Sequence, residues 1–126
     1  MSTKIHGVLD YLVSALLIAS PWIFNFAGSN YACYVPVAVG IIGILYSLLT
    51  DYEWGLIKTI SMPMHLAFDL AAGVGLAASP WLFGFNRAVH SPHLFIGLLI
   101  ICVSLLSNPV PYKKRSGNVV EQGFTR

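Results

Sequence analysis

Two histidine–aspartate pairs are the residues in this 126-residue chain whose types and spacing best suit chemistry. His6 precedes Asp10 by four positions, and His65 precedes Asp69 by the same spacing. Side chains four residues apart share one face of a helix, so each imidazole should lie beside its carboxylate. These groups can form hydrogen bonds, relay protons or bind cations. His6, Asp10, His65 and Asp69, the His/Asp cluster, are therefore the candidate site.

Three interpretations of the His/Asp cluster are open. The first is a hydrogen-bonded clasp, because acidic residues inside a membrane usually face the bundle and find partners there. The second is a relay or binding site for protons or cations. The third is metal or haem ligation by His6 and His65, from facing helices at one depth. Nothing else supports a cofactor, so we predict no cofactor and no metal, and we assign His90 and His93 to an outer loop.

The composition predicts a chain that is solvated mainly by lipid. Hydrophobic residues make up 56% of it and charged residues only 10%. A soluble domain of this size normally covers its large surface with charge. The formal net charge is +2, and no basic stripe alternates with aromatic residues. We therefore predict a lipid bilayer as the main partner and no nucleic acid.

Four hydrophobic stretches must position these residues, at 5–24, 32–49, 64–83 and 92–106. A helix needs about 20 residues to cross the hydrocarbon core, and about 17 is the lower limit. The first three stretches are long enough, and the fourth is short. We predict an all-α polytopic membrane protein with four transmembrane helices.

An internal repeat organises the chain. After a shift of 59 residues (65 − 6), nine of 21 gapless positions from His6 to Phe26 are identical. The identical set includes His, Asp, Ser-Pro-Trp and two Phe, which chance does not readily align in hydrophobic sequence. We predict a single membrane domain, 1–126, with repeat 1 at 5–49, a connector at 50–62, repeat 2 at 63–107 and a polar tail at 108–126. The connector could hold a short interfacial helix.

The basic residues predict the orientation, because cytoplasmic loops carry the excess of Lys and Arg. With the N-terminus inside, the outer loops hold only Arg87. The cytoplasmic segments hold Lys4, Lys58, Lys113, Lys114, Arg115 and Arg126. Both termini should face the cytoplasm. Because each repeat has an even number of helices, a pseudo-two-fold axis along the membrane normal should relate them.

The repeated Ser-Pro-Trp signature falls near the outer ends of the first and third helices. It comprises Ser20, Pro21 and Trp22, and Ser79, Pro80 and Trp81. Proline disfavours helical geometry in the preceding residue, so we predict a kink or restart at each serine. The tryptophans should anchor an outer aromatic belt that includes Phe24, Phe26, Tyr31, Tyr34, Phe83 and Phe85. The alternative is an aromatic outer site for a small apolar or cationic ligand.

The paired Ala-Ser-Pro-Trp segments, each preceded by His-x-x-x-Asp, resemble the SPW-repeat family of bacterial membrane proteins. The resemblance covers residues 6 to about 106. It implies a protein of the bacterial inner membrane with two such repeats, and it implies no reaction.

Helix three carries a ridge of small residues, Ala67, Ala71, Gly75 and Ser79. Ridges with small-xxx-small spacing let helix backbones approach closely in membranes. The contact could lie within the bundle or with another subunit, as a homo-oligomer or a membrane-complex partner. Cys33 and Cys102 should lie roughly 15 Å apart in depth and stay unpaired.

A non-enzymatic structural, scaffold or accessory role is the function that these patterns favour. The second hypothesis is a small proton- or cation-coupled transporter or channel that uses the His/Asp cluster, and the third is a bis-His haem protein. An enzyme is the least favoured class, because the sequence has no activated nucleophile, phosphate loop or full set of metal ligands. We predict no catalytic residue.

Overall fold

The computed structural model describes residues 1–28 and 30–110. They form four α-helices: α1 (Thr3–Ile23), α2 (Asn30–Leu48), α3 (Met62–Leu82) and α4 (Ser91–Leu106). These residues contain no strand beyond one isolated bridge between Thr50 and Ile60, so the prediction of an all-α fold is confirmed. The tail with Lys113, Lys114, Arg115 and Arg126 lies outside the described residues.

Serine caps begin both α1 and α3. The Ser2 hydroxyl accepts a hydrogen bond from the Ile5 amide at 3.3 Å, and the Ser61 hydroxyl accepts one from the Met64 amide at 3.4 Å. Such caps satisfy amides that have no partner in the first turn of a helix. His6 and His65 each follow their cap by four residues, so the two histidines occupy equivalent positions relative to the starts of their helices.

The sequence predicts a kink or a restart at Ser-Pro-Trp, and the restart is wrong because both helices continue through this signature. α1 continues through Pro21 to Ile23, and α3 continues through Pro80 to Leu82. The missing proline N–H leaves the carbonyl four residues earlier without its helical donor. The preceding serine fills that role: Ser20 Oγ donates to the Leu17 carbonyl at 2.8 Å, and Ser79 Oγ donates to the Leu76 carbonyl at 2.7 Å.

Each of these helices ends one residue beyond its tryptophan, and a left-handed residue follows two positions later. Asn25 has a φ of 57°, and Gly84, at the equivalent position of the repeat, has a φ of 73°. Glycine and asparagine are the residues that most often take this conformation at a helix C-terminus. The two repeats therefore have different residues at this position but the same backbone geometry.

The helices pack chiefly as two pairs, α1 with α2 and α3 with α4. The backbones approach most closely at glycines. A Cβ added to Gly97 would lie 2.6 Å from the Ala77 nitrogen, and one added to Gly43 would lie 2.6 Å from Ser14 Oγ. The predicted ridge is not a contact surface within the chain: Ala67, Ala71 and Gly75 are exposed, and only Ser79 is buried.

Polar residues dominate the interior, while large hydrophobic side chains lie outside. Among the described residues, eleven buried ones are polar or charged and eight are hydrophobic, which reverses the usual arrangement of a soluble domain. By length and composition, α1 and α2 are each apolar enough to cross a membrane; α4 is apolar but has only 16 residues. Cys33 and Cys102 are both free thiols.

The connector between the two pairs is not helical, although the sequence allowed a short interfacial helix there. It folds back on the end of α2 through backbone hydrogen bonds from Asp51 to the Ile60 carbonyl at 2.7 Å and from Ile60 to the Leu49 carbonyl at 2.8 Å. These bonds form a compact loop at the end of the bundle where α1 and α3 begin.

Candidate functional site

The structure brings His6, Asp10, His65 and Asp69 together in one buried group. His6 Nε2 lies 3.1 Å from Asp10 Oδ1 and 3.0 Å from Asp69 Oδ2. His65 Nε2 lies 3.1 Å from Asp10 Oδ2 and 3.3 Å from Asp69 Oδ2. Each imidazole therefore contacts the carboxylate of the other helix as closely as its own. Both imidazoles are fully buried, and the two carboxylate side chains are only 9% and 6% exposed.

Two hydroxyl groups orient the imidazoles. His6 Nδ1 lies 2.6 Å from Ser107 Oγ, and His65 Nδ1 lies 2.7 Å from Thr50 Oγ1. Each hydroxyl donates its only proton to the helix carbonyl four residues earlier, Ser107 to Val103 and Thr50 to Tyr46, both at 2.6 Å. Each hydroxyl must then accept the Nδ1–H of its histidine. Both Nε2 atoms consequently face the centre of the cluster.

Two tyrosines donate to the carboxylates from outside. The Tyr46 hydroxyl donates to Asp69 Oδ1, and the Tyr52 hydroxyl donates to Asp10 Oδ2 at 2.9 Å. Tyr52 belongs to the connector and is only 1% exposed. Burial, together with the nearby Asp10 carboxylate, raises the pKa of the Tyr52 phenol well above its ordinary value. The phenol therefore stays protonated at neutral pH and remains a donor to Asp10.

The connector covers the cluster at the end of the bundle. Glu53 accepts hydrogen bonds from Thr3 Oγ1 at 2.7 and 2.9 Å. The Trp54 indole N–H donates to the Lys4 carbonyl at 2.8 Å, and the Trp54 carbonyl accepts from the Tyr11 hydroxyl at 2.9 Å. These contacts attach the connector to the first three turns of α1 and hold Tyr52 over Asp10.

A pocket adjoins the cluster on its inner side. It is a partly open cleft with a cavity volume of about 30 Å³, and it extends between the helices from the two carboxylates toward the middle of the bundle. Asp10, Asp69 and Tyr46 line its polar end, and residues such as Val13, Leu17 and Ile100 line the rest. The pocket gives the carboxylates a neighbouring space that side chains do not fill.

The Ser-Pro-Trp residues lie at the opposite end of the bundle. The serines and prolines are buried, whereas Trp22 and Trp81 are 66% and 52% exposed. Most of the predicted aromatic belt is exposed with them: Phe24, Tyr31, Tyr34 and Phe83. Two members differ: Phe85 is only partly exposed, and Phe26, with 5% exposure, belongs to the interior.

The assignment of His93 to an outer loop is wrong, whereas that of His90 is not contradicted. His93 lies in the first turn of α4, is 1% exposed, and donates through Nε2 to the Ala32 carbonyl at 2.8 Å. The rings of Phe26 and Phe85 flank it at 5.0 and 4.9 Å between centroids. Its role is to tie α4 to the start of α2. His90 is exposed and immediately precedes α4.

The sequence did not point to four of the residues around the cluster: Tyr46, Thr50, Tyr52 and Ser107. A shift of 59 residues places Leu105, Pro109 and Pro111 opposite Tyr46, Thr50 and Tyr52, so the repeat gave no signal for them. The available signal was weaker, namely that Tyr46 and Thr50 are polar residues four apart at the end of an apolar helix.

Comparison with known proteins identifies a family for this chain. Residues 4–107 match the family model described as the SPW repeat domain. No curated protein and no solved structure matches the chain. The matched segment contains the whole His/Asp cluster and both Ser-Pro-Trp signatures, and with the two apolar helices it indicates a membrane protein. The chain belongs to the SPW repeat domain family.

Proposed function

We propose that this protein is a non-enzymatic structural or accessory component of the bacterial inner membrane, in which the His/Asp cluster clasps two two-helix repeats together. Four helices cross the bilayer, both termini face the cytoplasm, and a pseudo-two-fold axis along the membrane normal relates the repeats. A homo-oligomer is part of this proposal, because Ala67, Ala71 and Gly75 are exposed in the single chain.

The observation that carries the proposal is the crossed pairing of the cluster. His6 of the first repeat contacts Asp69 of the second at 3.0 Å, and His65 of the second contacts Asp10 of the first at 3.1 Å. Other contacts between the two helix pairs are sparse, since α1 packs mainly on α2 and α3 mainly on α4. The polar contacts at one end of the bundle therefore supply much of the connection between the pairs.

Membrane insertion is supported by the distribution of side chains. Residues such as Leu12, Leu82 and Leu105 are 62%, 71% and 69% exposed and would face acyl chains. The exposed tryptophans lie at the end of the bundle opposite the His/Asp cluster, where headgroups would accept their N–H donors.

The clasp is tested by unfolding the full chain in detergent micelles without added metal. Asp10→Asn with Asp69→Asn keeps the shape of both side chains but removes the charges that face two histidines. Breaking buried pairs of this kind costs about 3–5 kcal/mol. Asp51→Asn, in the connector, makes the same chemical change outside the cluster and controls for the loss of an acidic charge. Equal unfolding temperatures in the wild type and the double variant would contradict the clasp.

A second candidate function is a proton- or cation-coupled transporter or channel. The pocket beside Asp10 and Asp69 favours it, because the pocket brings open space to the two carboxylates. Vesicles that contain the wild-type protein should then show proton or cation flux that the Asp10→Asn, Asp69→Asn variant lacks. Equal flux through both would eliminate this candidate.

A further inference from the structure

We propose that the His/Asp cluster is a binding site for one divalent transition-metal ion, with His6 Nε2, His65 Nε2 and the carboxylates of Asp10 and Asp69 as ligands. This inference rests on the same cluster as the proposed clasp and names its occupant. One ligand atom from each residue can be chosen so that all four lie within 4.8 Å of one another.

The donors and acceptors at the centre of the His/Asp cluster favour a bound cation. Both Nδ1–H groups are used by hydroxyl acceptors, so a neutral imidazole presents only a lone pair at Nε2. The two Nε2 atoms lie 3.3 Å apart and face two carboxylates that also offer only lone pairs. Neutral imidazoles would leave four acceptors with no donor between them, and these repel one another unless positive charge lies among them. In the metal-free clasp, two protons on the Nε2 atoms supply that charge. A divalent ion that displaces both protons supplies the same two charges and balances the two carboxylates.

The spacing of these ligand atoms suits a tetrahedral metal ion. Zinc bound by histidine nitrogen and carboxylate oxygen has bonds of about 2.0–2.1 Å, which give a tetrahedron with edges of about 3.3 Å. The edge between the two Nε2 atoms is 3.3 Å, and those from His6 and His65 to Asp69 Oδ2 are 3.0 and 3.3 Å. Three ligand atoms therefore already lie at separations close to those of a tetrahedral site. Asp10 completes the set, with Oδ1 at 3.1 Å from His6 Nε2 and Oδ2 at 3.1 Å from His65 Nε2.

The groups around the four ligands also resemble those around a bound metal ion. Metal-bound histidines usually donate their other N–H to a protein acceptor, and metal-bound carboxylates accept further hydrogen bonds. Here Ser107 and Thr50 accept from the histidines, while Tyr46 and Tyr52 donate to the carboxylates. All four ligands are thus oriented by an outer partner.

The ligand chemistry selects the class of metal. Imidazole favours zinc, copper, iron and nickel over calcium and magnesium, which prefer sites of oxygen alone. Two nitrogens and two carboxylates in a tetrahedral arrangement fit Zn²⁺ best. Haem does not fit, because two Nε2 atoms at 3.3 Å, both also against carboxylates, leave no room for a porphyrin between them.

The test uses the untagged full chain in detergent, stripped with a chelator and then supplied with Zn²⁺ alone. After gel filtration, the wild type should retain one zinc per chain by elemental analysis. Replacement by Co²⁺ should produce the intense visible absorption of a tetrahedral site. His6→Gln with Asp69→Asn should lose both signals. His90→Gln removes an exposed imidazole at the other end of the bundle and should retain both.

Variants outside the ligand set keep the test decisive if the cluster variants fail to fold. Thr50→Val and Ser107→Ala retain every ligand but remove the acceptors of the Nδ1–H groups, so the zinc affinity should fall by about 10–100-fold. Wild type that retains no zinc, or an unchanged affinity in both variants, would overturn the metal site. The clasp is tested separately, by unfolding without metal. A protein that keeps the clasp but binds no zinc can therefore be distinguished from one that lacks both.

Discussion

At the scale of single residues, hydroxyl groups decide how the cluster is arranged. Ser107 and Thr50 each donate one hydrogen bond to a helix carbonyl and accept one from a histidine. These hydrogen bonds fix both imidazoles with Nε2 pointing inward. Tyr46 and Tyr52 then satisfy the outer sides of the carboxylates. The charged groups of the cluster are therefore held by neutral neighbours that contribute direction and no charge.

Tyr52→Phe should lower the free energy of unfolding by about 1–3 kcal/mol, because it leaves the buried Asp10 carboxylate without its phenol donor. The measurement is chemical unfolding in detergent micelles. Tyr34→Phe is the matched control: Tyr34 is 65% exposed, and its loss should change stability little. A Tyr52→Phe protein as stable as the control would show that the connector does not support the cluster.

At the scale of elements, the Ser-Pro pair explains how a helix continues through proline inside an apolar environment. The carbonyl that proline leaves without a donor would cost free energy if it stayed unsatisfied. Ser20 and Ser79 donate to those carbonyls, and both helices gain one more turn before the left-handed residues Asn25 and Gly84 end them. The exposed tryptophans lie on this extra turn.

A double-mutant cycle at Ser79 and Pro80 tests this explanation. Ser79→Ala alone should lower the free energy of unfolding by about 1–3 kcal/mol, because the buried Leu76 carbonyl loses its donor. In a Pro80→Ala background the restored amide can donate to Leu76, so the same serine substitution should cost much less. Equal costs in the two backgrounds would mean that the serine hydroxyl has a different role.

At the scale of the whole molecule, the start of α1, the connector and the end of α4 meet at one end of the bundle. The N-terminal ammonium of Met1 donates to the Leu106 carbonyl at 2.6 Å, and Lys58 Nζ donates to the Tyr52 carbonyl at 3.0 Å. The cluster lies beneath this end, and Trp22 and Trp81 mark the other. Our proposed orientation, which rests on the positive-inside rule, makes the cluster end the cytoplasmic one.

Cysteine labelling in cells tests this orientation, with Cys33 and Cys102 replaced by serine. Gly28→Cys places an exposed thiol beside the tryptophan end, and Leu56→Cys places one on the connector, where Leu56 is 78% exposed. A membrane-impermeant maleimide should label Gly28→Cys in intact spheroplasts and should label Leu56→Cys only after lysis. The reverse pattern would invert the topology.

The sequence by itself determined the helical class and the candidate cluster, because both follow from local spacing. Apolar length predicts helices, and the i, i+4 spacing of His6 with Asp10 and of His65 with Asp69 places each pair on one face. The repeat then predicted equal depth for the two pairs. Composition predicted lipid as the solvent because ten per cent charge cannot cover a soluble domain of this size.

Only the tertiary structure decided which groups meet across the chain. The crossed contacts of the His/Asp cluster and the approach of Tyr52 join residues far apart in sequence, and no local spacing encodes them. The same holds for His93, whose burial depends on the docking of α4 against the start of α2. The His/Asp cluster was visible as two helical pairs in the sequence; the fold turned both histidine Nε2 atoms toward both carboxylates, and that convergence supports a metal site.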